Sequence, residues 1–576
     1  MTSIADETQW LDATSHAHLV RDGSVSPLEL LNAALERADK LNPAINALTY
    51  RWDDDARKVA ASLPDDKSMP FRGVPFILKD LNATLEGQPI SNGNIALKNA
   101  NHISTYTTEH VKRFIRAGLV IFGRGNSPEF GSVPTTEPEA WGATRTPWDT
   151  SRISGGSSGG SSAAVAAGIV PAAHATDGGG SIRIPAACCG LVGLKVSQGR
   201  ITAAPMRDET NLGVEHVVTR TVRDCAALLD ATHGPGVGDR VTAPAPSRSF
   251  LSEVGAPVEK LRIGFLDHRP LAGDIDQECV EGVHIVAKHL EQLGHFIDAS
   301  WPSALEDASF PPRFTAIWGT NMSVACETTA ALLGREVTSD DFELVNWTMA
   351  QYAKNTSATT YASAILATSH YRRAVAQWWA DGWDILVTPT VSRVPLKVGQ
   401  FANDPKDPMK PMKVAGDFVA FTAALLGREV TSDDFELVNW TMAQYAKNTS
   451  ATTYASAILA TSHYRRAVAQ WWADGWDILV TPTVSRVPLK IGQFANDPKD
   501  PMKPMKVAAD FVAFTAAFNT SGQPAISLPL HWTPEGVPIG IQLVAAYGRE
   551  DILLRLAAQL EVAMPWAHRR PAMRDL

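Results

Sequence analysis

The chain has 576 residues, 45% hydrophobic and 20% charged, with a formal net charge of −9 at pH 7. That length can bury a large core, the composition is that of a globular protein, and the acidic balance argues against a nucleic-acid partner. The five cysteines, Cys188, Cys189, Cys225, Cys279 and Cys326, form no C-x-x-C pair. An odd, sparse set argues against a disulfide framework or a thiolate zinc site and fits reduced thiols in a cytosol.

The first seven residues carry Asp6 and Glu7, where a secretory leader needs a basic start and an apolar run. Next, Ser26-Pro27-Leu28-Glu29 is a helix start: a capping serine, proline at the first helical position, and glutamate three residues after the cap. Leu30, Leu31, Ala34, Leu35 and Ala38 continue it, and the helix is expected to stop near Asn42-Pro43. Residues 74–78 read as a buried strand that ends at Lys79, and 108–117 as a helix closed by Gly118. A strand over 119–122, an alanine-rich helix over 161–168 and a short apolar element over 261–266 follow. The longest apolar run, 163–175, is interrupted by Pro171 and His174 and is too short to span a bilayer. These readings predict a cytoplasmic protein with no membrane partner. The alternation of strand and helix signals predicts an α/β fold with helices on both faces of a sheet.

A tandem repeat dominates the second half. Residues 329–421 return as 422–514 with two substitutions, Val398 against Ile491 and Gly416 against Ala509. Thr-Ala-Ala opens both copies and recurs at Thr515-Ala516-Ala517. Solenoids stack many diverged units of twenty to fifty residues, so two long, near-identical ones are a recent in-frame duplication. Each copy holds one strand signal, at 383–389 and 476–482. One sheet has one slot for that strand. The other copy is then extruded, added at an edge or exchanged with a second molecule, which leaves a homodimer open. The tryptophan pairs Trp378-Trp379 and Trp471-Trp472 fit helix packing.

Three segments carry chemistry: Gly73-Val74-Pro75-Phe76-Ile77-Leu78-Lys79-Asp80, Ser154-Gly155-Gly156-Ser157-Ser158-Gly159-Gly160-Ser161, and Thr176-Asp177-Gly178-Gly179-Gly180-Ser181-Ile182-Arg183. Singly, each has a plain reading: a lysine that reaches back to the surface, a flexible linker, and a turn. The glycine triplet lacks the Gly-Lys-Ser/Thr ending of a phosphate loop. Together, in this order and with Ser181 24 positions after Ser157, they resemble the amidase signature family, whose enzymes cleave carboxamides.

The resemblance implies a single domain over 1–576, with a mixed central sheet covered by helices on both faces and the two repeats, 329–421 and 422–514, inside it. It makes Ser181 the nucleophile, Ser157 a proton relay and Lys79 the base. An amide is a weak electrophile with a poor leaving group, so it needs an activated nucleophile and donors for the oxyanion. Lysine serves as a base only when uncharged, which burial favours. Backbone N–H groups of Gly178, Gly179, Gly180 and Ser181 are expected to hold the oxyanion. Gly156 precedes the relay serine across a bond that is cis in the family; Asp177 and Arg183 support the loop. Cys188 and Cys189 read as packing residues and Gln542 as structural, and Cys326 is a candidate for the acyl pocket. No metal and no organic cofactor is implied, and the partner is a small-molecule amide. The form Asp177 to Pro185 is similar to amidases acting on ω-amino-acid oligoamides, cyclic ones included. Two rivals remain: the glutaminase component of a tRNA-dependent amidotransferase, and a non-catalytic product of the duplication.

Overall fold

Strands that are apolar on both sides need a cover on both sides, and the central strands here are of that kind. The computed structural model describes residues 3–205, 212–236, 239, 241–271, 273–354, 358–403, 406–407, 409, 478–482, 486–491, 514–515, 518–519 and 523–569. Near the N-terminus, β1 (Leu48–Arg51), β2 (Pro75–Lys79) and β3 (Val120–Gly125) form a sheet of order β1-β3-β2, with β2 parallel and β1 antiparallel to β3. A small sheet is built on the hairpin of β4 (Arg145–Thr146) and β5 (Asp149–Ile153).

The large sheet begins with β6 (Ala172–Asp177), β7 (Val192–Lys195), β8 (Val214–Thr219), β9 (Arg262–Phe265), β10 (Phe296–Ala299) and β11 (Ile385–Pro389). The repeat further supplies β12 (Arg393–Lys397) and β14 (Arg486–Ile491), which join the small sheet beside β5, and β13 (Ile478–Pro482), which pairs within the large one. Strands β15 (Ala525–Trp532) and β16 (Pro538–Ala545) complete the large sheet. Its order is β10-β9-β11-β16-β15-β7-β8-β6; β9 is parallel to β10 and β11, and the other neighbours are antiparallel. The expected mixed sheet is therefore present, and β2 lies beside β6, edge against edge.

Alternation along the strands sorts the core into two layers. Ile385 and Val387 of β11, with Ile541 and Leu543 of β16, face helices Val222–Thr232, Gln277–Gln292 and Glu550–Ala563. Leu386 and Val544 point the other way, onto Tyr371, Trp378 and Trp379 of helix Ala358–Ala380. Trp378 thus packs as expected; Trp471 and Trp472 lie outside the described residues.

The first long helix, Pro27–Ile45, carries the predicted capping box: Ser26 Oγ accepts from Glu29 N at 3.2 Å, and Ser26 N donates to the Glu29 carboxylate at 2.8 Å. It runs past the predicted stop at Asn42-Pro43. Asn42 Oδ1 accepts from both Ala47 N and Leu48 N at 2.8 Å, which satisfies the chain where the helix ends, and Ile45 is buried. The strand before Lys79 and the helices at 109–116 and 159–166 stand within about two residues of their predicted bounds.

The two repeat copies meet the same partners. Leu386 of β11 and Leu479 of β13 each oppose Val544 of β16 and Gly264 of β9. Both copies thus direct a strand to the same place between β9 and β16. Side chains of the first copy bind the N-terminal part: Asn346 Nδ2 donates to Glu129 Oε2 at 2.6 Å, and Asn403 Nδ2 to the Glu139 carboxylate at 2.5 Å. Their counterparts Asn439 and Asn496 lie outside the described residues.

A chain that keeps residues 1–421 and resumes at Thr515 restores both junctions of a single copy. It should match or exceed the full chain in soluble yield and melting temperature, because a surplus apolar strand favours aggregation. Loss of solubility on deletion, with the full chain soluble, would show that both copies are structurally required.

Candidate active site

β2 and β6 run side by side and end at the same place. β2 ends in Lys79, which is fully buried. Its Nζ donates to Ser157 Oγ at 2.6 Å and to Thr176 Oγ1 at 2.8 Å. Thr176 is the penultimate residue of β6, and the motif reading did not foresee its contact with the lysine. Ser157 lies in the turn before helix Gly159–Ala166, after a cis peptide bond from Gly156. Gly156 is pressed against Thr135: an added Cβ would sit 2.4 Å from the Thr135 carbonyl oxygen. Ser158 clasps the turn to β6, its Oγ accepting from Thr176 N and donating to Thr176 O, both at 3.2 Å.

The loop from β6 to helix Arg183–Cys189 holds the glycines and Ser181. Asp177 organises it. Its Oδ1 accepts from Gly180 N at 2.7 Å, and its Oδ2 from Ile182 N at 3.2 Å and Arg183 Nε at 2.9 Å. This corrects the expected oxyanion set. The Gly180 N–H, expected among the oxyanion donors, is committed to Asp177. Gly180 itself has φ +128°, and an added Cβ would lie 2.3 Å from Thr515 Oγ1. Gly178 and Gly179 lie under Trp318 and Phe314, whose rings stack with centroids 5.3 Å apart.

Arg183 joins the loop to the C-terminal part. Its Nη1 donates to Gln542 Oε1 at 2.6 Å, and its Nη2 to Thr515 O at 3.0 Å and to Asn519 Oδ1. Asn519 Nδ2 returns a bond to Asp177 Oδ1 at 2.6 Å, and Thr515 Oγ1 donates to Gly179 O at 2.7 Å. Gln542 is structural, as expected; Thr515 and Asn519 were not foreseen. Burial alone would raise the Asp177 carboxyl, but the adjoining Arg183 guanidinium outweighs it and holds Asp177 down to about 2.

Ser157, Thr176, Gly178 and Ser181 line one cavity of about 420 Å³. Its apolar wall includes Leu81, Phe130, Trp318, Met322 and Leu332; Asn82, Asn92, Ser104, Tyr106 and Asn321 supply amides and hydroxyls. Among the described lining residues there is no aspartate, glutamate, lysine or arginine. Cys326 is not on this wall. It packs one turn of helix away from Met322, in a cluster with Val133, Phe342, Val345 and Met349. Cys188 and Cys189 are buried, and none of the five cysteines forms a disulfide.

A buried lysine on a serine hydroxyl, a glycine loop with unspent N–H groups and a second serine in the same cavity, all on a mixed α/β sheet, are the parts of a serine amide hydrolase. The family model described as Amidase matches residues 29–437 and 426–554, and the chain belongs to the amidase family. The two matched ranges overlap across the repeat. Similar relatives are the 6-aminohexanoate-cyclic-dimer hydrolases of Paenarthrobacter ureafaciens and Pseudomonas sp. (strain NK87), at 36% and 35% identity. Each comparison covers 98% of this chain and 97% of the relative. A solved structure of a 6-aminohexanoate cyclic dimer hydrolase superposes with a TM-score of 0.79 at 34% identity, over 98% of this chain and 99% of that one. The protein is an amidase-signature hydrolase acting on carboxamides. No described helix is long and apolar enough to cross a membrane.

Asp177→Asn leaves the buried Arg183 without its counter-charge and should destabilise the protein by about 3–5 kcal/mol, read from denaturant midpoints. The Asp177 carboxyl is held below its unfolded value of about 3.9. Its contribution is therefore complete above that pH and is lost as pH falls toward 2. The wild-type midpoint should drop across this window more steeply than that of the variant.

Proposed function

We propose that Ser181 is the nucleophile, Ser157 the relay and Lys79 the base of an acyl-enzyme mechanism. The observation that carries this reading is the buried Lys79 Nζ to Ser157 Oγ bond of 2.6 Å beside a cavity that holds Ser181. Ser181 Oγ attacks the amide carbonyl carbon while its proton passes to Ser157 and the Ser157 proton to neutral Lys79. The negative carbonyl oxygen is met by N–H groups of the Gly178–Ser181 loop. Collapse of this intermediate breaks the C–N bond, and the proton returns through Ser157 to the leaving nitrogen. Water then adds to the ester, Lys79 again taking the proton, and releases the carboxylic acid and Ser181.

The substrate is an uncharged amide. A cavity of about 420 Å³ lies in the range of small-molecule sites. Its described walls offer apolar surface, amides and hydroxyls, which suit a neutral chain with internal amide bonds. A zwitterion such as glutamine would find no counter-charge for either end among the described lining residues, which weighs against the glutaminase reading. Similarity to cyclic-dimer hydrolases supports the cyclic oligoamide class.

Ser181→Ala should abolish hydrolysis of the 6-aminohexanoate cyclic dimer and labelling by a fluorophosphonate probe, with an unchanged melting temperature. Labelling that persists in the variant would overturn the nucleophile assignment. Lys79→Ala should cost about 10³-fold or more in kcat, and Ser157→Ala less, since a water can partly replace a hydroxyl relay. The wild-type rate should rise with pH as Lys79 loses its proton.

The cyclic dimer should exceed the zwitterionic linear dimer in kcat/KM by about tenfold or more. Equal values would remove the case for an uncharged substrate. Glutaminase activity comparable with amide hydrolysis would favour the amidotransferase reading instead.

A further inference from the structure

The lysine is held from behind as well as at its tip. β2 is an edge strand, and at Lys79 its main-chain N–H donates to His174 Nδ1 of β6 at 3.3 Å. His174 Nε2 lies 2.9 Å from Glu215 Oε2 of β8, and both side chains are buried. Protons can be assigned along this line. The Lys79 N–H can only donate, so Nδ1 accepts and carries no hydrogen. The neutral ring then has its hydrogen on Nε2, which donates to Glu215. An imidazolium would set an Nδ1–H against the Lys79 N–H. Behind His174, the His110 ring stacks at 5.2 Å, with its Nε2 4.0 Å from Glu215 Oε2. These three groups lie close enough together to suggest a metal site, yet His174 engages protein partners with both ring nitrogens.

Other described charged groups near Lys79 have partners of their own. Asp80, the residue just after β2, accepts from Ser91 N at 2.9 Å. Arg124 of β3 donates to Lys79 O at 3.3 Å. Asp177, at the end of β6, pairs with Arg183. Helices Pro27–Ile45 and Gly159–Ala166 meet β2 through alanine and leucine side chains. Glu215 is therefore the carboxylate that addresses Lys79 through its own main-chain N–H, by way of one imidazole.

We propose that Glu215 and His174 form a positioning pair for Lys79, fixing the lysine's main chain at the junction of the two sheets, with the Glu215 charge raising the pH at which the lysine becomes a base. This rests on Lys79 being the base. The pair does not touch substrate. It decides where the Nζ points and when it loses its proton.

The test uses the full chain and two readouts: cyclic-dimer hydrolysis, and the rate of Ser181 labelling by a fluorophosphonate, each against pH. In Glu215→Gln the amide oxygen still accepts from Nε2, while the charge is gone. The acid limb of both profiles should move down by about one pH unit; an unmoved limb overturns the proposal. If that variant does not fold, His174→Asn and His174→Leu decide. Asparagine Oδ1 can stand in for Nδ1, so this variant should stay within about tenfold of wild type, whereas leucine should lose about a hundredfold. Equal losses at equal melting temperature mean packing alone and overturn the proposal. Lys79→Met is run beside them. If it labels at the wild-type rate, the base assignment fails and takes the pair with it. If Lys79→Met is slow and the Glu215→Gln limb stays put, only the pair falls.

Discussion

The buried pair of Asp177 and Arg183 is the contact on which the rest of the site depends. Neither side chain is exposed. Two charges taken out of water are tolerated only where almost every donor and acceptor is used. Here Asp177 takes N–H groups from its own loop, and Arg183 gives its remaining N–H groups to Gln542, Thr515 and Asn519. The loop's curl, the spending of the Gly180 N–H and the aim of the other N–H groups all follow from that satisfaction. Apolar residues of the same volume would pack as well, but they would not draw β16 and the 514–519 stretch onto the catalytic loop.

This dependence bounds what the duplication can do. The lysine, both serines and the glycine loop all precede residue 329, and the brace at Thr515 and Asn519 follows residue 514. The added residues therefore lie between the cavity wall, where Thr329 sits, and the brace. A 93-residue detour is entropically modest, because closure cost grows only with the logarithm of loop length. The heavier cost is the surplus strand. β11 and β13 take the same register against β9 and β16, so whichever copy is displaced exposes an apolar edge. Among the described residues, the first copy makes contacts with Glu129 and Glu139. Burial pushes Glu129 up to about 7, whereas the N–H groups of Asn346, Asn94 and Glu343 that it accepts from favour its charged form.

Much of this is legible in the residues. Ser157 and Ser181 stand out because small, flexible residues surround them, and Lys79 because it ends an unbroken apolar run. The helix from Pro27 is readable from its capping box, but not its end, because Asn42 bonds two residues beyond the helix and so carries it past Pro43. Thr176, Asn519, His174 and Glu215 are illegible for another reason. Each acts through a partner 41 to 342 positions away, and nothing in local composition marks such a residue. Gly180 misleads because a glycine's N–H looks available in sequence, whatever a nearby carboxylate does with it. Cys326 differs from its expected place by about one helical turn, the difference between a cavity wall and the cluster behind it.

The site also separates charge from substrate. Asp177 with Arg183, Glu215 with His174, and Asp80 near Arg124 all lie behind the loop and strands, fully buried and hydrogen-bonded. The cavity presents hydroxyls, amides, N–H groups and apolar surface. In the proposed mechanism, an amide carbonyl entering this space meets no aspartate, glutamate, lysine or arginine among the described lining residues, and N–H donors gain strength where little water competes with them. The Asp177–Arg183 pair holds the glycine loop in place. A charged side chain in the cavity itself would screen the oxyanion or bind the ground state as tightly as the transition state, and the rate would gain nothing. In the proposed mechanism, keeping charge in the framework and neutral groups on the described cavity walls lets Lys79, Ser157 and Ser181 act without a further charge at the reacting bond.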